Sequence, residues 1–197
     1  MARLSRAESQ AQTRQQLMAT AKQLFLELGY HATSLEKVAD RAGFSKGAVY
    51  SNFRNKDELC VAVLEETRAE RVAEILAILT EPDPDARLAR FQSWAEAVIG
   101  DPAWTSLEVE FAMHARRNEP QRTELSARLD SILGMLSGAA QADDLDGPLP
   151  PDELAVTVLA LGVGLGIFRA VNPAIPVTGL VDALRYLGGV PATQPSA

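Results

Sequence analysis

The most constraining feature of the chain is a three-residue interval, Gly43-Phe44-Ser45, set between two short stretches of helical character. Upstream, Leu35, Val38, Ala39 and Ala42 recur at the spacing of one helix face, and Gly43 supplies the residue that most readily ends a helix. Downstream, Ser45 is a favoured N-cap residue, and Val49 and Phe53 fall one turn apart. Two helices joined by a tight, glycine-containing turn form a helix-turn-helix.

The second helix of the pair, opening at Lys46, is unusual in what it turns outward. At 100° per residue, Val49 and Phe53 face the core, Gly47 and Ser51 lie opposite them, and Ala48 and Tyr50 flank that face. The outward centre carries almost no bulk. A low-relief face lets a helix backbone approach a groove floor, and the DNA major groove admits an α-helix and presents base-specific donors and acceptors. On that reading Lys46 reaches guanine or a phosphate, the Ala48 methyl meets a thymine methyl, and Ser51 hydrogen-bonds a base edge. Tyr50, Asn52 and Lys56 fall where phosphates pass. Thr33, read as N-cap of the preceding helix in a capping box with Glu36, offers its hydroxyl to another phosphate, with Ser34 beside it at the same helix start.

Charge is distributed in keeping with this. Residues 1–60 hold nine Lys/Arg and six Asp/Glu, a balance of +3, whereas residues 61–197 hold ten and twenty, a balance of −10. A basic head on an acidic body suits a polyanionic partner for the head alone. The single cysteine, Cys60, leaves no internal disulfide or metal quartet and points to a reducing, cytosolic setting. The N-terminal residues show no apolar run of the secretory type. No metal or cofactor is expected, nor an enzyme, because no nucleophile, base and acid stand together and the chain has only two histidines.

No strand alternation interrupts the rest of the chain. The expected fold is all-α, with about nine helices: an N-terminal three-helix head carrying the helix-turn-helix (residues 1–58) and a C-terminal helical bundle for dimerisation and ligand binding (residues 59–197). The first helix is read from Gln10 to Leu28, halted by Gly29. A long fourth helix opens at Lys56 behind Asn55 and Glu58. The loop carrying Asp143, Asp144 and Asp146 lacks the spacing of a calcium site and is read as solvated.

The stretch TSLEKVADRAGFSKGAVYSNFRNKDEL resembles the DNA-binding head of the tetracycline-repressor (TetR) family. The family pattern is met by Thr33, Ala42-Gly43, Ser45-Lys46-Gly47, the Tyr50 to Phe53 segment, Lys56 and Leu59, with LFLELGYHATS matching before it. Asn52 departs from it, standing where many members carry His or Tyr. The resemblance implies a transcriptional regulator, usually a repressor, that binds a palindromic operator on double-stranded DNA as a homodimer and is released by a small hydrophobic or amphipathic effector. It also implies that the last two helices pair with their symmetry mates, here through Leu154, Val158, Leu161, Gly162, Leu165, Leu180 and Leu184. The run from Leu154 to Phe168 is too short for a membrane span and is read as a buried helix whose glycines, at 162, 164 and 166, allow close helix approach. Trp94, Trp104, Phe111, Met135 and Phe168 are candidate cavity-lining residues, with Glu108 and His114 as polar recognition groups.

Overall fold

The computed structural model describes residues 5–142 and 147–189. These form nine α-helices and no strand: α1 (Arg6–Ala32), α2 (Leu35–Ala42), α3 (Lys46–Asn52), α4 (Lys56–Leu79), α5 (Pro84–Val98), α6 (Pro102–Ala115), α7 (Glu119–Ala142), α8 (Pro151–Val171) and α9 (Thr178–Leu187). The aspartates at 143, 144 and 146 lie outside the described residues. Two compact units emerge, one of residues 1–71 with 106–111, the other of residues 72–105 with 112–197.

In the first unit, α1 starts four residues earlier than its apolar stripe suggests. Ser5 accepts from the Glu8 amide while Glu8 accepts from the Ser5 amide, a reciprocal cap. Regular helix ends at Gly29, whose φ of 80° belongs to the left-handed region that favours glycine. Leu17, Ala21, Leu24 and Phe25 of α1 are buried with Val38 and Ala39 of α2, Val49 of α3, and Phe53, Leu59 and Val63. Each fully buried leucine, valine or phenylalanine among them contributes about 1.5–3 kcal/mol. Cys60 lies in this core. Burial, reinforced by Asp57, pushes its thiol up to about 12, so it behaves as a small apolar side chain.

The first unit takes in six residues of α6. The Glu110 carboxylate accepts from the Tyr30 amide at 2.9 Å, just beyond the break at Gly29. Phe111 sets its ring edge-on to Tyr30 with centroids 5.5 Å apart. Arg68 pairs with Glu108 at 3.1 Å. The Tyr30 hydroxyl donates to Asp57, and the Lys56 ammonium lies 4.2 Å from the Tyr30 ring centre. Tyr30 is therefore the point at which the end of α1, the start of α4 and the middle of α6 meet.

In the second unit α7 and α8 pack side by side, and α9 packs on α5 and α8. Helix α8 departs from the expectation of a buried helix. Leu154, Ala155 and Gly166 are buried. Val156, Val163, Ile167 and Val171, which share one face at intervals of seven, four and four residues, are exposed, as are Leu161 and Phe168 beside them. The glycines are also not used as expected within the chain. A Cβ at 162 or 164 would meet nothing within 4 Å, and only at 166 would it come within 4.0 Å of a neighbour, at Ile99 and Gly100. By length and composition alone α8 could also cross a membrane, with 17% of its most apolar window buried.

Candidate nucleic-acid interface and an internal cavity

The helix-turn-helix has the geometry its sequence dictates. Ser34 caps α2 by accepting from the Lys37 amide at 3.3 Å. Gly43 closes that helix at φ 73°, where its own amide and that of Phe44 return to the carbonyls of Asp40 and Ala39. Ser45 then caps α3 by accepting from the Ala48 amide at 3.2 Å. Val49 and Phe53 are wholly buried, which fixes the rotation of α3 and turns Lys46, Gly47, Tyr50 and Ser51 outward. A Cβ on Gly47 would find only the Ser45 hydroxyl, at 3.8 Å, so the glycine is not demanded by packing within the chain.

Not every expected contact residue stands free on this face. Thr33 is 2% exposed, and its hydroxyl donates inward, 2.9 Å from the Gly29 carbonyl and 3.2 Å from that of Leu24. The capping role read for Thr33 belongs to Ser34, and a buried hydroxyl engaged this way cannot bond a phosphate. The Asn52 amide turns back onto its own helix, donating to the Ala48 carbonyl at 2.8 Å, and the Ser51 hydroxyl donates to the same carbonyl at 2.9 Å. Lys56 directs its ammonium to the Tyr30 carbonyl at 2.9 Å, so it ties α4 to the end of α1 and retains capacity for a further acceptor.

Two side chains join this site that their sequence context does not reveal. Arg14 donates to the Asn52 carbonyl at 2.6 Å and lies 4.1 Å from the Phe53 ring centre, clamping the end of α3 to α1. Glu36 accepts from the Tyr50 hydroxyl at 2.9 Å. Its own backbone N–H, the Tyr50 and Ser34 hydroxyls and nearby Lys46 hold its carboxyl below the usual range, while the same contact and the negative charge raise the Tyr50 phenol.

In the second unit a cavity of about 160 Å³ is lined by Ile75, Ile78 and Leu79 of α4, Leu88 and Phe91 of α5, Leu136 of α7, and apolar residues of α8 and α9. Arg87 is the one charged residue among the described residues lining it, and its guanidinium Nε donates to the Glu81 carbonyl. None of the seven expected pocket residues lines this cavity. Phe111 and Glu108 belong to the cluster around Tyr30 and Arg68. Trp104 is buried. Trp94 donates its indole N–H to Glu74. His114 is half-buried, and Met135 and Phe168 are 42% and 64% exposed. The residues read as dimer contacts also divide. Leu154 and Leu180 are buried within the chain, Leu154, Val158 and Leu184 line the cavity, Leu161 is exposed, and Gly162 and Leu165 are half-buried.

A capped recognition-type helix with a low outward face, on a basic three-helix head, defines a helix-turn-helix DNA-binding transcriptional regulator. Residues 17–63 match the family model described as bacterial regulatory proteins, tetR family. Over those residues the chain carries the DNA-binding head of the TetR family. It is 46% identical over 52 residues to the HTH-type transcriptional activator FasR of Mycolicibacterium smegmatis, a match spanning 26% of this chain and 24% of that one. It is 29% identical over 177 residues to the HTH-type transcriptional regulator TtgR of Pseudomonas putida, covering 84% of this chain and 83% of the relative. The solved SmeT–triclosan complex matches with a TM-score of 0.67 at 21% identity, covering 94% of this chain and all of that one, and that likeness shows the fold.

Proposed function

We propose that the protein is a cytoplasmic repressor that binds a palindromic operator as a homodimer and leaves it when a small apolar effector occupies the cavity of its second unit. The observation that carries the DNA-contact assignment is the outward face of α3, where a Cβ on Gly47 would meet only the Ser45 hydroxyl at 3.8 Å and Lys46, Ala48, Tyr50 and Ser51 surround the glycine. In this reading Lys46 and Ser51 address base edges, and Tyr50, Asn52, Lys56 and the capped starts of α2 and α3 at Ser34 and Ser45 hold phosphates. A second copy of α3 enters the next major groove about 34–36 Å away. Residues 1–58 bind DNA, and residues 59–197 serve the effector and the dimer.

Pairing of two copies is supported by the exposed apolar stripe on α8. The effector role is supported by the cavity, whose lining of aliphatic side chains and one phenylalanine favours an uncharged, apolar molecule. Helix α4 contributes residues to both units, so an effector that fits one placement of α4 better than another shifts the population of DNA-competent protein. Release requires that difference in fit, because equal binding to both placements shifts nothing.

The test is selection of duplexes from a random pool by the purified protein, followed by a screen of small apolar compounds for release. Recovery of an inverted repeat bound with a steep salt dependence is expected. Failure to enrich any duplex overturns the reading. Within the cavity, Leu136→Trp fills space and is expected to weaken the response to a releasing compound by at least about tenfold while leaving operator affinity within about twofold. Dose–response curves of operator release check this, and an unchanged response places the effector elsewhere.

A further inference from the structure

The face assigned to DNA contains a carboxylate. Glu36 sits in the first turn of α2, half-exposed, and accepts from the Tyr50 hydroxyl of α3 at 2.9 Å, fourteen residues along the chain. Lys46, at the opening of α3, lies close enough to stabilise its charge. A tyrosine hydroxyl has one proton to give. A phosphate oxygen approaching Tyr50 must therefore displace Glu36 as the acceptor of that hydrogen bond and settle beside a negative charge. Binding to duplex of arbitrary sequence rests almost wholly on such phosphate contacts, so Glu36 opposes it. A carboxylate on this face can recover what it loses by accepting a hydrogen bond from a base, and of the two major-groove amines cytosine N4 matches it better than adenine N6, which stands beside the N7 acceptor.

We propose that Glu36 is a specificity-determining residue, whose carboxylate disfavours arbitrary duplex and reads a cytosine N4 amine at one position in each half-site. The proposal rests on the assignment of α3 as the DNA-contacting helix. It differs from a merely structural role, in which an acidic residue in the first turn of α2 would stabilise the helix and leave base preference alone.

The experiment compares full-length wild type with Glu36→Gln, and with Glu36→Ala as a second variant, on a duplex enriched by the wild type and on random-sequence duplex, across a range of salt. Glu36→Gln is expected to tighten random-duplex binding by about fivefold and to lower the ratio of specific to random affinity by at least about tenfold. Sites enriched by the variant lose a cytosine preference at one position per half-site. Tyr50→Phe, which keeps the carboxylate, retains that preference. Equal changes on both duplexes, or a lowered melting temperature with an unchanged ratio, overturn the proposal. A wild type that binds no duplex removes the assignment of α3 and the proposal together, whereas a wild type that discriminates as well as its Glu36→Gln variant removes the proposal alone.

Discussion

Gly47→Leu is expected to abolish operator binding, by at least about a hundredfold or some 2.7 kcal/mol, in a protein that melts no lower than the wild type. The two halves of that result have separate causes. Gly47 lies at ordinary helical φ, and a Cβ there meets only the Ser45 hydroxyl at 3.8 Å, so leucine clashes with nothing in the free chain. Leucine also exceeds glycine in helix propensity by up to about 1 kcal/mol. On the outer surface, however, the new side chain stands at the centre of the face that must reach base edges, and holds the α3 backbone away from them. The contacts of Lys46 and Ser51 are then lost together, because each needs hydrogen-bonding distance. Melting curves and operator titrations on the same preparation measure both halves. Wild-type operator affinity in the leucine variant would show that α3 does not approach the groove by this face.

The double variant Val163→Glu, Ile167→Glu is expected to separate the dimer, raising its dissociation constant by at least about a thousandfold and lowering operator affinity by about a hundredfold or more. Both side chains lie on the exposed stripe of α8, at 55% and 42% exposure, so the chain itself gives them little cover. In a paired interface each glutamate would be desolvated against apolar surface, and the two copies of each would face like charge. Operator affinity falls because the second head no longer benefits from being tethered to the first. Sedimentation gives the oligomeric state, and a dimer that persists at low micromolar concentration would move the interface off this face. Because neither residue is buried, loss of folding is not the expected cause of any change.

Local signals in the sequence translated faithfully, and those that depend on distant packing did not. Ser45 and Gly43 act within three or four residues, so the turn between α2 and α3 could be read directly, and the rotation of α3 followed from Val49 and Phe53. The choice between Thr33 and Ser34 as cap could not. Both are good capping residues, and what decides between them is the draw of Thr33 into the core, where the Leu24 carbonyl, nine residues back, takes part in holding it. The Ser5–Glu8 cap was legible but hidden, because it precedes the first apolar residue of the stripe by several positions.

The cavity shows a different limit. Trp94, Trp104 and Phe168 are conspicuous aromatics in the sequence, yet the lining is built mainly from isoleucine, leucine and alanine on several helices, with Phe91 as its one aromatic among the described residues. Which face of each helix turns to that space is settled by helix rotation, which composition does not encode. In α8 an apolar surface on every side gave no means of telling the part that packs within the chain from the stripe left outside. Glu36 resembled a cap partner by spacing, and its engagement with Tyr50 arises only when α2 and α3 are folded together.

The capture of residues 106–111 by the head bears on how this protein can be taken apart. A fragment cut at residue 71 would keep the whole helix-turn-helix and still lose the Glu110 carboxylate that receives the Tyr30 amide, the Phe111 ring against Tyr30, and the Glu108 partner of Arg68. An amide stripped of its acceptor costs about 1–3 kcal/mol where water cannot replace it, a large share of the stability of so small a fold. Grafting this reader onto another effector module therefore means carrying over a short piece of a helix that lies far downstream in the gene, or supplying a surrogate for it.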